Sequence, residues 1–134
     1  VHWDKYVLSP LLSDGKLLIC DKYFYDDVAT KSVFGCPYKW LKNLYYDTLK
    51  PDLAFYINVD GATLIKRNEH RADGRIIHYQ SINNINRLLY YYDQIVLDEH
   101  LVSINGNLSC EQITEAIVSA LDKVNLSPSK YKCK

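Results

Sequence analysis

Three short, continuous apolar runs constrain the fold of this chain more than any other feature. They are Lys16-Leu17-Leu18-Ile19-Cys20-Asp21, Leu53-Ala54-Phe55-Tyr56-Ile57-Asn58-Val59-Asp60 and Leu101-Val102-Ser103-Ile104-Asn105. Apolar residues in succession, rather than in alternation, predict burial on both faces, as in the central strands of a parallel sheet. Helical spacing fills the intervals: residues 2–13, about 26–34, about 37–49 from Pro37, about 61–71, and a long stretch near 80–98. A last helix starts at Ser109, with Gln112 three residues on as its capping-box partner. Strands alternating with helices of this length predict right-handed crossovers and an α/β fold, a parallel sheet with flanking helices. Three strands are too few for such a sheet to be covered on both faces, so a further unit is expected ahead of Val1. Residues 1–126 read as one domain and 127–134 as a loose tail.

The chain has 134 residues, and its sixteen basic side chains cancel sixteen acidic ones. A net charge of zero provides no general field for gathering a nucleic acid polymer, so no such partner is expected. No apolar run approaches the roughly 18 residues that span a bilayer, and no membrane association is expected. Cys20, Cys36, Cys110 and Cys133 show neither a CxxC nor a zinc-like spacing with histidine. Reduced thiols and a cytoplasmic location are the expectation.

In open parallel sheets, ligands collect beyond the carboxyl ends of the strands. That rule points at Asp21-Lys22-Tyr23 after the first run and at Asp60 after the second. Asp21 beside Lys22 suits a magnesium-organising carboxylate next to a phosphate-binding ammonium, or simply a charged turn. Asp26 and Asp27 follow, either as acid–base groups or as favourable anions in the first turn of the next helix, and the second reading is the stronger. Arg67, Arg71 and Arg75 are three of the four arginines in the chain, spaced by four. Guanidinium binds phosphate oxygens bidentately, so this face reads as an oligophosphate clamp or as a solvated basic surface. Tyr90-Tyr91-Tyr92 at helical spacing reads as packing rather than as a platform for bases. No GxxxxGK[ST] occurs in the 134 residues, so the chain itself carries no phosphate-cradling loop.

Taken together, these residues resemble the thymidylate kinase family across nearly all of 2–122. Asp14-Gly15 through Asp21-Lys22-Tyr23 is similar to that family's strand and DR[YH] motif, and His2-Trp3-Asp4-Lys5-Tyr6 falls at its helix bearing an Asp-Arg pair. Pro10-Leu11-Leu12 falls at its Pro-Ala-Leu, Lys50-Pro51-Asp52-Leu53 at its Lys-Pro-Asp-Leu strand, and Leu64 to Arg67 at its Ala-Leu-x-x-Arg helix. The resemblance implies a P-loop kinase fold whose phosphate-loop unit precedes this chain. It also implies ATP and Mg2+ as cofactors, nucleotide substrates with dTMP as the acceptor, and a homodimer built on helices that include residues 2–13.

By the same resemblance, Asp21 sits by the magnesium and the reacting phosphates, and Lys22 replaces the arginine that grips the acceptor phosphate. Lys5, with Asp4 beside it, replaces the arginine that contacts the base. Tyr23, Asp26, Asp27 and Thr30 fall among positions that shape the acceptor pocket. Arg67 falls at a cofactor-binding position, and Arg71 and Arg75 at catalytic positions of an arginine-bearing lid. The chain departs from the family pattern where lysine stands for arginine at 5 and 22, Asp27 for Ser or Asn, and Thr30 for Tyr. Alternatives from other classes are a catalytically inactive relative kept as a binding module, and a nucleoside kinase of the same superfamily.

Overall fold

In the computed structural model the described residues are 4–69 and 81–124, with side chains described for 6–67 and 81–124. A π-helical turn, Asp4–Leu8, runs into α1 (Ser9–Ser13), where Pro10 suits the first helical turn. Then follow α2 (Phe24–Val33), α3 (Tyr38–Leu44), β1 (Phe55–Asn58), α4 (Gly61–Glu69), α5 (Ile82–Glu99), β2 (Val102–Asn105) and α6 (Cys110–Lys123). The two strands pair in parallel, Phe55 opposite Val102 and Asn58 opposite Asn105, across a crossover that contains α4 and α5. This is the expected parallel α/β arrangement.

The helices form where periodicity and caps placed them. Phe24, Val28, Ala29, Ser32 and Val33 make one buried stripe along α2, and Ile85, Leu88 and Ile95 make another along α5. These stripes meet, with Leu41 of α3 beside them, in a core of Phe24, Val28, Ala29, Val33, Leu41, Leu88 and Ile95. The Ser81 hydroxyl accepts the Asn84 amide at the start of α5, and Ser109 and Gln112 close the expected capping box on α6. At the other end of α5, His100 adopts a left-handed conformation (φ 54°), which lets Leu101 N–H reach the Val96 carbonyl and turns the chain into β2. The expected helix over 37–49 stops at Leu44 and continues as turns held by Tyr46 N–H to Asn43 O and Thr48 N–H to Tyr45 O.

The first apolar run corrects one expectation. Residues 16–20 form no strand among the described residues; Leu17 and Leu18 are half-buried and Ile19 is 89% exposed. A strand is defined by a hydrogen-bonded neighbour, and no described segment lies beside this run as one. Tyr91 and Tyr92 of the tyrosine triplet pack against the core as expected, whereas Tyr90 is 57% exposed. Among the described residues no helix is long and apolar enough to cross a membrane. Cys20, Cys36 and Cys110 are free thiols. Cys133, Trp3, Arg71, Arg75 and the 127–134 tail lie outside the described residues.

Candidate active site

Two polar clusters hold the residues singled out above, one after the first apolar run, which forms no strand among the described residues, and one beyond the carboxyl ends of β1 and β2. The first begins at Asp21 and Lys22, both exposed. Lys22 takes a left-handed backbone (φ 64°), a conformation that disfavours any residue with a Cβ. The turn lets Tyr23 start α2 in an extended conformation, with its hydroxyl donating to the Leu49 carbonyl at 3.0 Å. Lys50 then lies 4.4 Å above the Phe24 ring and 3.0 Å from Glu99. The 45–50 turn is thereby fastened to the start of α2 and the end of α5. Burial, and secondarily Glu99, pushes the Tyr25 phenol up to about 12.

Asp26 and Asp27 occupy the first turn of α2, where the helix dipole favours anions. Each also receives a phenol. Tyr92 Oη donates to Asp26 Oδ1 at 2.6 Å, and Tyr45 Oη donates to Asp27 Oδ2 at 2.7 Å. Lys31, one turn on, reaches the same Asp27 oxygen at 3.0 Å. The Tyr45 hydrogen bond, with Lys31 behind it, holds the Asp27 carboxyl below the usual aspartate range, and the same contacts raise Lys31. Thr30 Oγ1 donates to the Asp26 carbonyl at 2.7 Å, back along its own helix.

At the sheet end, Asp60 caps α4 by accepting from Thr63 N–H (2.8 Å) and Thr63 Oγ1 (2.7 Å). These bonds lower the Asp60 pKa, with a smaller contribution from the Asn107 side chain. Gly106, just beyond β2, is gripped on both sides. Its N–H donates to Asn58 O at 2.7 Å and its carbonyl accepts from Arg67 Nη2 at 2.7 Å. A Cβ here would lie 2.7 Å from Val59 Cγ1 and 2.9 Å from Ile57 Cγ2, so the position has no room for a side chain.

The thymidylate kinase family model matches residues 2–117 of this chain. The chain belongs to that family. A probable thymidylate kinase of Staphylothermus marinus is 30% identical over 106 residues, covering 79% of this chain and 53% of its own length. The Dictyostelium discoideum thymidylate kinase is 27% identical over 112 residues, which is 84% of this chain and 49% of that protein. The Plasmodium falciparum thymidylate kinase is 25% identical over 125 residues, 92% of this chain and 58% of that protein. The chain therefore spans about half the length of the curated relatives it matches.

The thymidylate kinase-like residues expected from sequence fall into four groups. Asp21, Lys22, Tyr23, Asp26, Asp27 and Thr30 lie together within ten positions at the start of α2. Arg67 lies on α4 beside the sheet end, bonded to Gly106. Asp4 and Lys5 lie in the π-helical turn without described side chains, and Arg71 and Arg75 are outside the described residues. Sequence reasoning missed Tyr45 and Tyr92 as partners of Asp27 and Asp26, because sequence separations of 18 and 66 carry no local signal. It also missed Gly106, whose isolation directly after a strand was the available clue. No group of three or more His, Cys, Asp or Glu side chains is arranged for a metal among the described residues. Magnesium in phosphoryl transfer takes only one or two carboxylates, keeping waters and substrate phosphates as its other ligands. The exposed Asp21 beside a cationic side chain fits that minimal donor set.

Proposed function

We propose that this chain is the carboxyl-terminal part of a thymidylate kinase-like enzyme that transfers the γ-phosphoryl group of ATP to dTMP. The observation that carries this reading is Asp21 followed by a left-handed Lys22, directly ahead of the paired carboxylates of α2. Strain at a non-glycine residue clusters at functional sites. The family match supports it over the same residues. This reading requires a phosphate loop that the 134 residues do not themselves contain.

In the reaction, an oxygen of the acceptor phosphate bonds to the γ-phosphorus as the bond to the ADP leaving group breaks, giving dTDP and ADP. Catalysis of this kind is mostly positioning and charge neutralisation. Lys22 grips the acceptor phosphate, while Arg71 and Arg75 neutralise charge on the moving phosphoryl group. Asp21 holds magnesium, which supplies Lewis-acid neutralisation of the donor phosphates when bound. Lys5 and Asp4 contact the base, and Tyr23, Asp26, Asp27 and Thr30 frame the acceptor pocket. The enzyme works in the cytoplasm as a homodimer joined through helices, for which the exposed Tyr6, Leu11 and Leu12 offer apolar surface.

The test is a phosphoryl-transfer assay on the longest natural protein against a panel of deoxynucleoside monophosphates and nucleosides. Preferred turnover of dTMP is the expected result. Turnover of nucleosides alone would assign the chain to a nucleoside kinase, and no turnover of any acceptor would make it an inactive relative. Light scattering on the same protein reads the dimer, and a monomer at micromolar concentration refutes it.

A further inference from the structure

The two phenols on α2's carboxylates are themselves immobilised. The Tyr92 ring stacks on Tyr56 of β1, with centroids 5.0 Å apart and an interplanar angle of 15°. The Tyr45 ring stacks on Phe24 at 5.5 Å and 25°. Phe24 is a core residue, and Tyr56 belongs to the paired strand, so both rings rest on the rigid part of the fold. Each then directs its hydroxyl at one carboxylate oxygen, at 2.6 Å for Asp26 and 2.7 Å for Asp27. Contacts this short are charge-assisted and strongly directional. Helix dipole and solvation alone would keep these anions charged but free to rotate. The phenols fix their orientation.

We infer that Tyr92 and Tyr45 are positioning residues of the acceptor pocket, locking Asp26 and Asp27 in the rotamers that meet the substrate. The inference rests on the kinase reading above, which places both carboxylates at that pocket. A carboxylate held at one oxygen by a phenol keeps a second oxygen that only accepts hydrogen bonds. The complementary group on the acceptor is therefore an N–H or O–H donor, such as the imino N–H of a pyrimidine base or a sugar hydroxyl. Neither tyrosine touches substrate. Their effect runs through the aspartates, and precise first contacts depend on such support.

The test uses Tyr92→Phe and Tyr45→Phe in the full-length protein, which remove the hydroxyls and keep both ring stacks. Each variant is expected to raise the acceptor KM by roughly 10-fold while the ATP KM stays within about 2-fold, the mark of lost acceptor binding alone. Calorimetric titration with dTMP should show the same weakening without any turnover. An unchanged acceptor KM and dTMP affinity in both variants overturns the positioning role. Equal rises in both KM values also overturn it, since they mark a general loss of structure. A wild-type protein that transfers no phosphoryl group refutes the kinase reading. The dTMP titration then still decides between pinned and free carboxylates, upholding the inference if the variants weaken binding and overturning it if they do not.

Discussion

Removing the charge of Glu99 should cost the fold about 1 kcal/mol at neutral pH and nothing at low pH. Glu99 ends α5, where its side chain is only 16% exposed and accepts from two lysines, Lys42 at 3.1 Å and Lys50 at 3.0 Å. Burial opposes its ionisation, but the Lys50 and Lys42 bonds outweigh burial and leave its pKa lowered. Each bridge lies between an exposed pair and a buried one, so about 0.5–1 kcal/mol apiece is appropriate. A carboxylate at a helix carboxyl end is disfavoured by the dipole, and Glu99→Gln recovers about 0.5 kcal/mol of that. Lys42 also keeps Asp98 at 2.9 Å, which softens the loss further. The net is about 1 kcal/mol.

The sign with pH follows from linkage. A carboxyl whose folded pKa is lowered stabilises the fold above its unfolded value, about 4.3, and that stability disappears as pH falls through the folded value. The gap between wild type and Glu99→Gln should therefore be constant well above the unfolded value of about 4.3 and close as pH falls through the lowered folded value. Urea unfolding of both proteins across that range, read as midpoint shifts at constant slope, measures it. A gap of the same size below the folded value and at neutral pH would refute the ionic account and leave lost packing as the cause.

Leu41→Ala, at 1% exposure in the core, should destabilise by about 2–5 kcal/mol in the same unfolding assay. Gly106→Ala forces a Cβ against Val59, Ile57 and the Asn58 carbonyl and should cost about 1–3 kcal/mol, with loss of amide protection at Asn58 and Gly106 in hydrogen exchange. Lys22→Gly relieves the left-handed backbone and should raise stability by up to about 1 kcal/mol while abolishing phosphoryl transfer. A variant that is both less stable and fully active would contradict the role given to Lys22.

What the sequence made legible follows the range of each interaction. Helices α2, α5 and α6 were readable because their signals are local: apolar spacing of three and four, and the Ser109 to Gln112 capping box. The second and third apolar runs gave strands in parallel, since continuous apolarity marks burial on both faces. The first run looked the same and formed none, because pairing depends on a neighbour distant in sequence. At the candidate site, Asp21, Asp26 and Asp27 were visible as clustered charges, and the family match spans that stretch. The phenols of Tyr45 and Tyr92 were not visible as their partners. Nothing near position 92 distinguishes a tyrosine that aims at Asp26 from its exposed neighbour Tyr90.

The exposed Ile19, in a run that forms no strand among the described residues, has a practical outcome at the bench. A run of Leu-Leu-Ile-Cys with no ladder among the described residues is a template for strand pairing between molecules. Residues 1–134 expressed alone should self-associate in a concentration-dependent way and stain with amyloid-type dyes on standing. A lysine at position 19 should act as a gatekeeper and suppress that behaviour, and a cysteine at position 20 on the same exposed segment makes reducing buffer advisable during purification.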